Sequence, residues 1–124
     1  MKILYSFNKK GSEAAFWQRE IAAASSKEFT FIPFNHDPFV DPYLYLRAQR
    51  LDDLYFARNA GLMRLYDEVE TLVKEEGIEA ILVDTCPPYH PDWLRKLPVF
   101  KVLRVADGPL SSYDRDFAYT HAYD

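Results

Sequence analysis

Ile78-Glu79-Ala80-Ile81-Leu82-Val83-Asp84-Thr85-Cys86-Pro87-Pro88-Tyr89 is the stretch that decides the fold. Ala80 to Val83 is an apolar run containing β-branched Ile81 and Val83, and Asp84-Thr85-Cys86-Pro87-Pro88 ends it abruptly. A short run without polar alternation suits a strand buried on both faces, as in a parallel sheet covered by helices. The polar loop then falls at the strand's carboxyl end, where open α/β sheets place their ligand crevices.

Upstream, Leu51, Leu54, Tyr55, Leu62, Leu65, Tyr66, Val69, Leu72 and Val73 keep an i, i+3/i+4 stripe for about six turns. Asp41-Pro42 reads as its start, a capping carboxylate followed by proline at the first helical position. So long a helix bends or breaks, with Gly61 or Asp52-Asp53 as the expected places. Gly77 is placed as the carboxyl cap, and Glu70 and Lys74 form an i, i+4 pair.

Further upstream, Lys2 to Phe7 reads as strand 1. A helix is expected from Ser12 to about Ser26, and Glu28 to Phe34 as a strand near a sheet edge. Downstream, Pro91 to Leu97 gives a short helix, Pro98 breaks it, and Val99 to Ala106 forms strand 4. Asp107-Gly108-Pro109 is a turn, and one helical turn is expected around Tyr113 to Phe117. This β-α-β-α-β-α-β order predicts a single α/β domain. The predicted form is a Rossmann-like three-layer sandwich with a mainly parallel sheet of about four strands, order 2-1-3-4. That order opens a crevice between the loops after strands 1 and 3.

At 124 residues the chain is large enough for one core but small for a complete two-substrate enzyme. A net charge of −4 without a basic cluster argues against nucleic acid as a partner. One cysteine excludes an internal disulfide and fits a reducing compartment. No apolar run approaches the ~20 residues of a membrane span, so a cytoplasmic protein is expected. Nine Tyr, nine Phe and two Trp exceed what a core of this size needs, which leaves room for a stacking surface or self-association.

The loop Ser6-Phe7-Asn8-Lys9-Lys10-Gly11-Ser12 has one glycine, so it meets neither the dinucleotide fingerprint nor a phosphate loop. It still offers helix-end amides and lysines to an anion, or serves as a plain connection. Asp84 and Asp107 each end a predicted strand and should share a rim. There they could hold substrate hydroxyls or act as a base, or instead cap their own turns. His36 follows strand 2 on that same rim. Cys86 and His90 suggest a thiol nucleophile with its base, but Asp92 stands where a phosphatase loop needs arginine, and two prolines separate Cys86 from any helix amino terminus. Cys86 with His90 and Asp92 lacks a second ligand pair for zinc. Tyr113, Phe117, Tyr119 and Tyr123 could cover the sheet end, or belong to the core of a larger assembly; the second is favoured.

Three segments together carry a family resemblance: Met1-Lys2-Ile3-Leu4-Tyr5; the long helix running into Glu76-Gly77-Ile78-Glu79-Ala80-Ile81-Leu82-Val83; and His90-Pro91-Asp92-Trp93-Leu94-Arg95-Lys96-Leu97 feeding Val105-Ala106-Asp107-Gly108-Pro109. In these the chain resembles the amino-terminal domain of GT-B glycosyltransferases, of the CgeB-like spore-maturation or the glycosyltransferase family 4-like group, most closely the former. The turn after strand 4 tends to read Asp-Asp-Pro in that group. Here it is Ala106-Asp107-Gly108-Pro109, so Asp107 is the residue onto which an acidic, catalytic role carries. The resemblance implies sugar transfer from a nucleotide-sugar to an acceptor hydroxyl, with no cofactor and no obligatory metal. Phe7, Asn8, Lys9, His36, Asp84, Thr85, Tyr89 and Gly108 would line the acceptor side. The donor-binding carboxyl-terminal domain would be the missing partner, and the chain alone should not turn over. A non-catalytic flavodoxin-like interaction or regulatory domain is the alternative, since a shared fold does not establish chemistry.

Overall fold

The computed structural model describes residues 1–8, 19–21, 23–45, 48–84, 87–105 and 117–124. Four strands form one parallel sheet: β1 (Lys2–Phe7), β2 (Thr30–Asn35), β3 (Ala80–Val83) and β4 (Phe100–Leu103), in the order β2-β1-β3-β4. β1 pairs with β2 through Leu4 and Ile32, and with β3 through Leu4 and Ile81; β3 meets β4 at Ile81 and Lys101. This is the expected Rossmann-like α/β domain with the expected strand order. β3 has the bounds read from the sequence, and it is central because its residues are apolar on both faces.

Paired residues of a parallel sheet share a face, so Leu4, Ser6, Ile81 and Val83 point the same way. That face meets α1 (Ala48–Phe56) and α2 (Ala60–Glu76), whose Leu51, Leu62, Leu65, Tyr66 and Val69 are buried with it in one core. The opposite face carries Tyr5, Leu82 and Val102 in register. Tyr66, Tyr89 and Trp93 form an aromatic stack inside the core, with Tyr66 and Trp93 4.2 Å apart and nearly parallel.

Several boundaries differ from expectation. The helix expected from Asp41 is three elements. Asp41 caps a 3₁₀ turn, Pro42–Leu44, by accepting from the Tyr43 N–H at 3.0 Å. The break between α1 and α2 lies between the two expected places. Arg58 takes a left-handed φ of 54°, and the Asn59 side chain accepts from the Leu62 N–H to start α2. A cap of this kind is worth about 1 kcal/mol. Gly77 closes α2 at φ 65°, and the Ile78 N–H reaches the Val73 carbonyl at 3.2 Å, a Schellman ending.

β2 starts two residues later than expected, with Ser26 and Phe29 joined in a turn before it. α3 (Pro91–Leu94) is shorter than the predicted 91–97, and β4 is the inner part of the predicted 99–106. A 3₁₀ helix runs over Phe117–Ala122; the helical turn expected around Tyr113 to Phe117 falls, but for Phe117, outside the described residues. Tyr119 and Ala122 are buried in this chain's own core and Tyr123 packs against it. These tyrosines therefore do not wait for a larger assembly. No helix of the described residues is long and apolar enough to cross a membrane.

Candidate functional site

The candidate site is built at the carboxyl rim, where β1, β2 and β3 finish side by side. Ser6, near the end of β1, is the centre of a buried array. Its Oγ lies 2.9 Å from His36 Nδ1 and 2.6 Å from the Tyr89 hydroxyl, and all three residues are 0% exposed. His36 follows β2 directly, and its N–H donates to the Phe7 carbonyl at 3.0 Å, continuing the ladder past the last strand residue. Tyr89 comes from the loop after β3 and meets the His36 ring edge-on at 6.2 Å. Burial without a counter-charge pushes the His36 imidazole down to about 3 and holds the Tyr89 phenol above its ordinary range. Both are neutral near pH 7.

Beside this array, Asp84 ends β3 with both carboxylate oxygens engaged. Oδ1 accepts from Arg104 Nη1 at 2.8 Å, and Oδ2 accepts from the Tyr5 hydroxyl at 2.5 Å. Burial, and then the bond to Asp84, raises the Tyr5 hydroxyl above the ordinary phenol range. Asp84 is thus a structural carboxylate, neutralised by Arg104, and ties β1 to the strand beyond β3.

A third cluster joins α1, α3 and the carboxyl-terminal turn. Asp52 Oδ1 accepts from His90 Nε2 at 2.7 Å and from the Tyr119 hydroxyl at 2.9 Å. His90 Nδ1 accepts from the Asp92 N–H, so the proton sits on Nε2 and faces Asp52. Tyr55 stacks on the His90 ring at 4.1 Å. Here His90 is an amino-terminal helix cap and a clamp, with both ring nitrogens engaged; Cys86, its candidate thiol partner, lies outside the described residues.

Of the residues expected at the site, His36 and Tyr89 come together on Ser6, while Asp84 stands at the same rim with its side chain turned to Tyr5 and Arg104 on the opposite sheet face. Asn8 stands at the end of β1, and Phe7 is buried with its ring stacked on Tyr5 at 5.2 Å, so it supports the rim from below. Lys9, Thr85, Asp107 and Gly108, together with Cys86, lie outside the described residues. Among the described residues no cluster of His, Cys, Asp and Glu could hold a metal ion. The groove of about 170 Å³ beside Glu70, Lys74, Trp93 and Lys96 lies along α2 and α3, not at the rim.

The sequence reading missed Ser6 as the hub, and the partners of Asp84. The available signal was a serine on the face of β1 that otherwise meets the core, because a buried hydroxyl there requires partners.

No family model, no curated protein and no solved structure matches this chain.

Proposed function

We propose that this chain is the acceptor-side domain of a two-domain glycosyltransferase of the GT-B kind. Its rim forms one wall of a cleft for a hydroxyl-bearing acceptor, and a second domain supplies the nucleotide-sugar site. The observation that carries this reading is the meeting of Ser6, His36 and Tyr89 beside the carboxyl ends of β1, β2 and β3. Asp84 ends β3 at the same edge but is turned to the opposite sheet face, toward Tyr5 and Arg104. Sheets of this order gather ligand-binding groups at that edge. Asp84 is held by Arg104 and Tyr5; the acidic role in transfer is the one that the family resemblance carries onto Asp107, which lies outside the described residues. A reducing, cytoplasmic setting suits the single cysteine.

An amide-resolved NMR titration of the full chain tests the reading. Methyl glycosides are expected to shift the amides of residues 6–8, 36–37 and 89–90 saturably, with affinities on the order of millimolar because one wall encloses a ligand poorly. Nucleotide-sugars are expected to leave these signals in place. Tight nucleotide-sugar binding, or a rim unmoved by every glycoside, overturns it.

One observation favours a second reading, that of an interaction domain. On the sheet face opposite α2, Phe100 is 56% exposed and Val102 is 41% exposed, neighbours along one edge strand. Sedimentation of the wild type and of Phe100→Ser separates the readings. Self-association abolished by Phe100→Ser supports an interface, and a wild type that stays monomeric at high concentration removes it.

A further inference from the structure

We propose that the groove between α2 and α3 binds a small monocarboxylate whose apolar body is about one ring in size. The site lies away from the rim, and its occupancy does not depend on what the rim holds.

Glu70, Val73 and Lys74 line one wall from the last two turns of α2. Trp93 of α3 lines the other, with Lys96, Leu97 and Pro98 after it. Gly77 leads from the first wall into β3, and Pro98 leads from the second toward β4. The groove therefore sits toward the amino end of the sheet, opposite the rim. It is half-enclosed, with a volume of about 170 Å³. A protein cavity of about 150 Å³ holds a benzene ring, so one ring or a branched chain fits. The walls are set before any ligand arrives. Trp93 stacks on Tyr66 at 4.2 Å, and its Nε1–H donates to Glu70 Oε1 at 2.7 Å. Leu97 is buried in the core behind it. Neither side chain is free to fold into the space.

The ligand class follows from the charges that line the groove. Glu70 stands four residues before Lys74, the spacing of an ion pair, yet it is bonded to the indole. Among the described residues neither Lys74 nor Lys96 has an ion-pair partner. Both are exposed, one on each wall. Two lysines and one glutamate leave the lining with a single net positive charge. One carboxylate balances it, whereas an amine would add to it. At the mouth the carboxylate stays partly hydrated beside the ammoniums, while its apolar body covers Val73, Trp93, Leu97 and Pro98. Neither part is then buried without a match.

The test is an NMR titration of the labelled full chain with benzoate, benzyl alcohol and benzylamine, which share a ring and differ in charge. Benzoate is expected to shift the Trp93 indole N–H and the amides of residues 73–74 and 96–97 along one saturation curve. Its affinity should be on the order of millimolar, because the groove is half-enclosed. Benzyl alcohol is expected to bind several-fold more weakly, and benzylamine to leave these signals unmoved. Lys74→Gln and Lys96→Gln change exposed side chains, and each is expected to weaken benzoate about threefold, the worth of an exposed ion pair. Benzoate that moves none of these signals overturns the proposal. Equal binding of benzoate and benzyl alcohol in the wild type also overturns it, since the lysines would then select nothing. So does benzoate binding that both lysine variants leave unchanged.

Discussion

Acidification from pH 6.5 to pH 3 is expected to strip about 4 kcal/mol from the folding stability through His36 alone. The cause is burial, which holds the folded-state imidazole down to about 3 from an ordinary 6.5. Above pH 6.5 the ring is neutral in both the folded and the unfolded chain, so its contribution is intact. Below that, the unfolded chain takes up a proton that the folded chain refuses, and stability falls by up to about 1.4 kcal/mol per pH unit until the folded-state value is reached. Small domains have about 5–15 kcal/mol in total, so this single residue sets much of the acid limit. Urea titrations at stepped pH check it. Between pH 6.5 and 5, above the range where most carboxylates titrate, the wild type is expected to lose stability faster than His36→Phe. Parallel curves would show that His36 is not held neutral.

Gly61→Ala is expected to destabilise the domain by roughly 3–5 kcal/mol, a sign opposite to the usual gain of such a change inside a helix. Gly61 lies in the first turn of α2, where the loop at Phe39 crosses it. A methyl group there would overlap the Phe39 carbonyl oxygen and lie 3.3 Å from the carbonyl carbon. Both are main-chain atoms, so no rotamer change relieves the overlap. Either α2 or the loop after His36 must move. Gly77→Ala is the control, since a methyl group at Gly77 meets nothing within 4 Å and only the left-handed φ of 65° is strained. That substitution is expected to cost about 1–2 kcal/mol. Chemical denaturation midpoints of the two variants should therefore separate widely. Equal losses would mean that the overlap with the Phe39 carbonyl is relieved at little cost.

The parts of the fold legible in the sequence were those carried by local periodicity. The apolar run Ala80–Val83, the stripe from Leu51 to Val73 and the glycine at 77 each act within a few residues, and each appears where expected. The break between α1 and α2 was misplaced because it uses neither glycine nor proline. Arg58 adopts the left-handed conformation, and the Asn59 side chain pays for the restart. The site was legible only as a rim. Asp84 was visible as a strand-ending carboxylate, but Tyr5 lies 79 positions away in sequence and Arg104 lies 20. Ser6 likewise meets partners 30 and 83 positions distant. Pairings of that range depend on strand order and register, which periodicity does not encode.

Lys101 sits in β4, at the open margin of the sheet. Its N–H donates to Asp124 Oδ2 and its carbonyl accepts from the Asp124 N–H, both at 2.8 Å. Main-chain groups that would otherwise be available to template a foreign strand are thus already occupied at this point. Growth of the sheet by fibril formation or strand exchange must first peel these residues away.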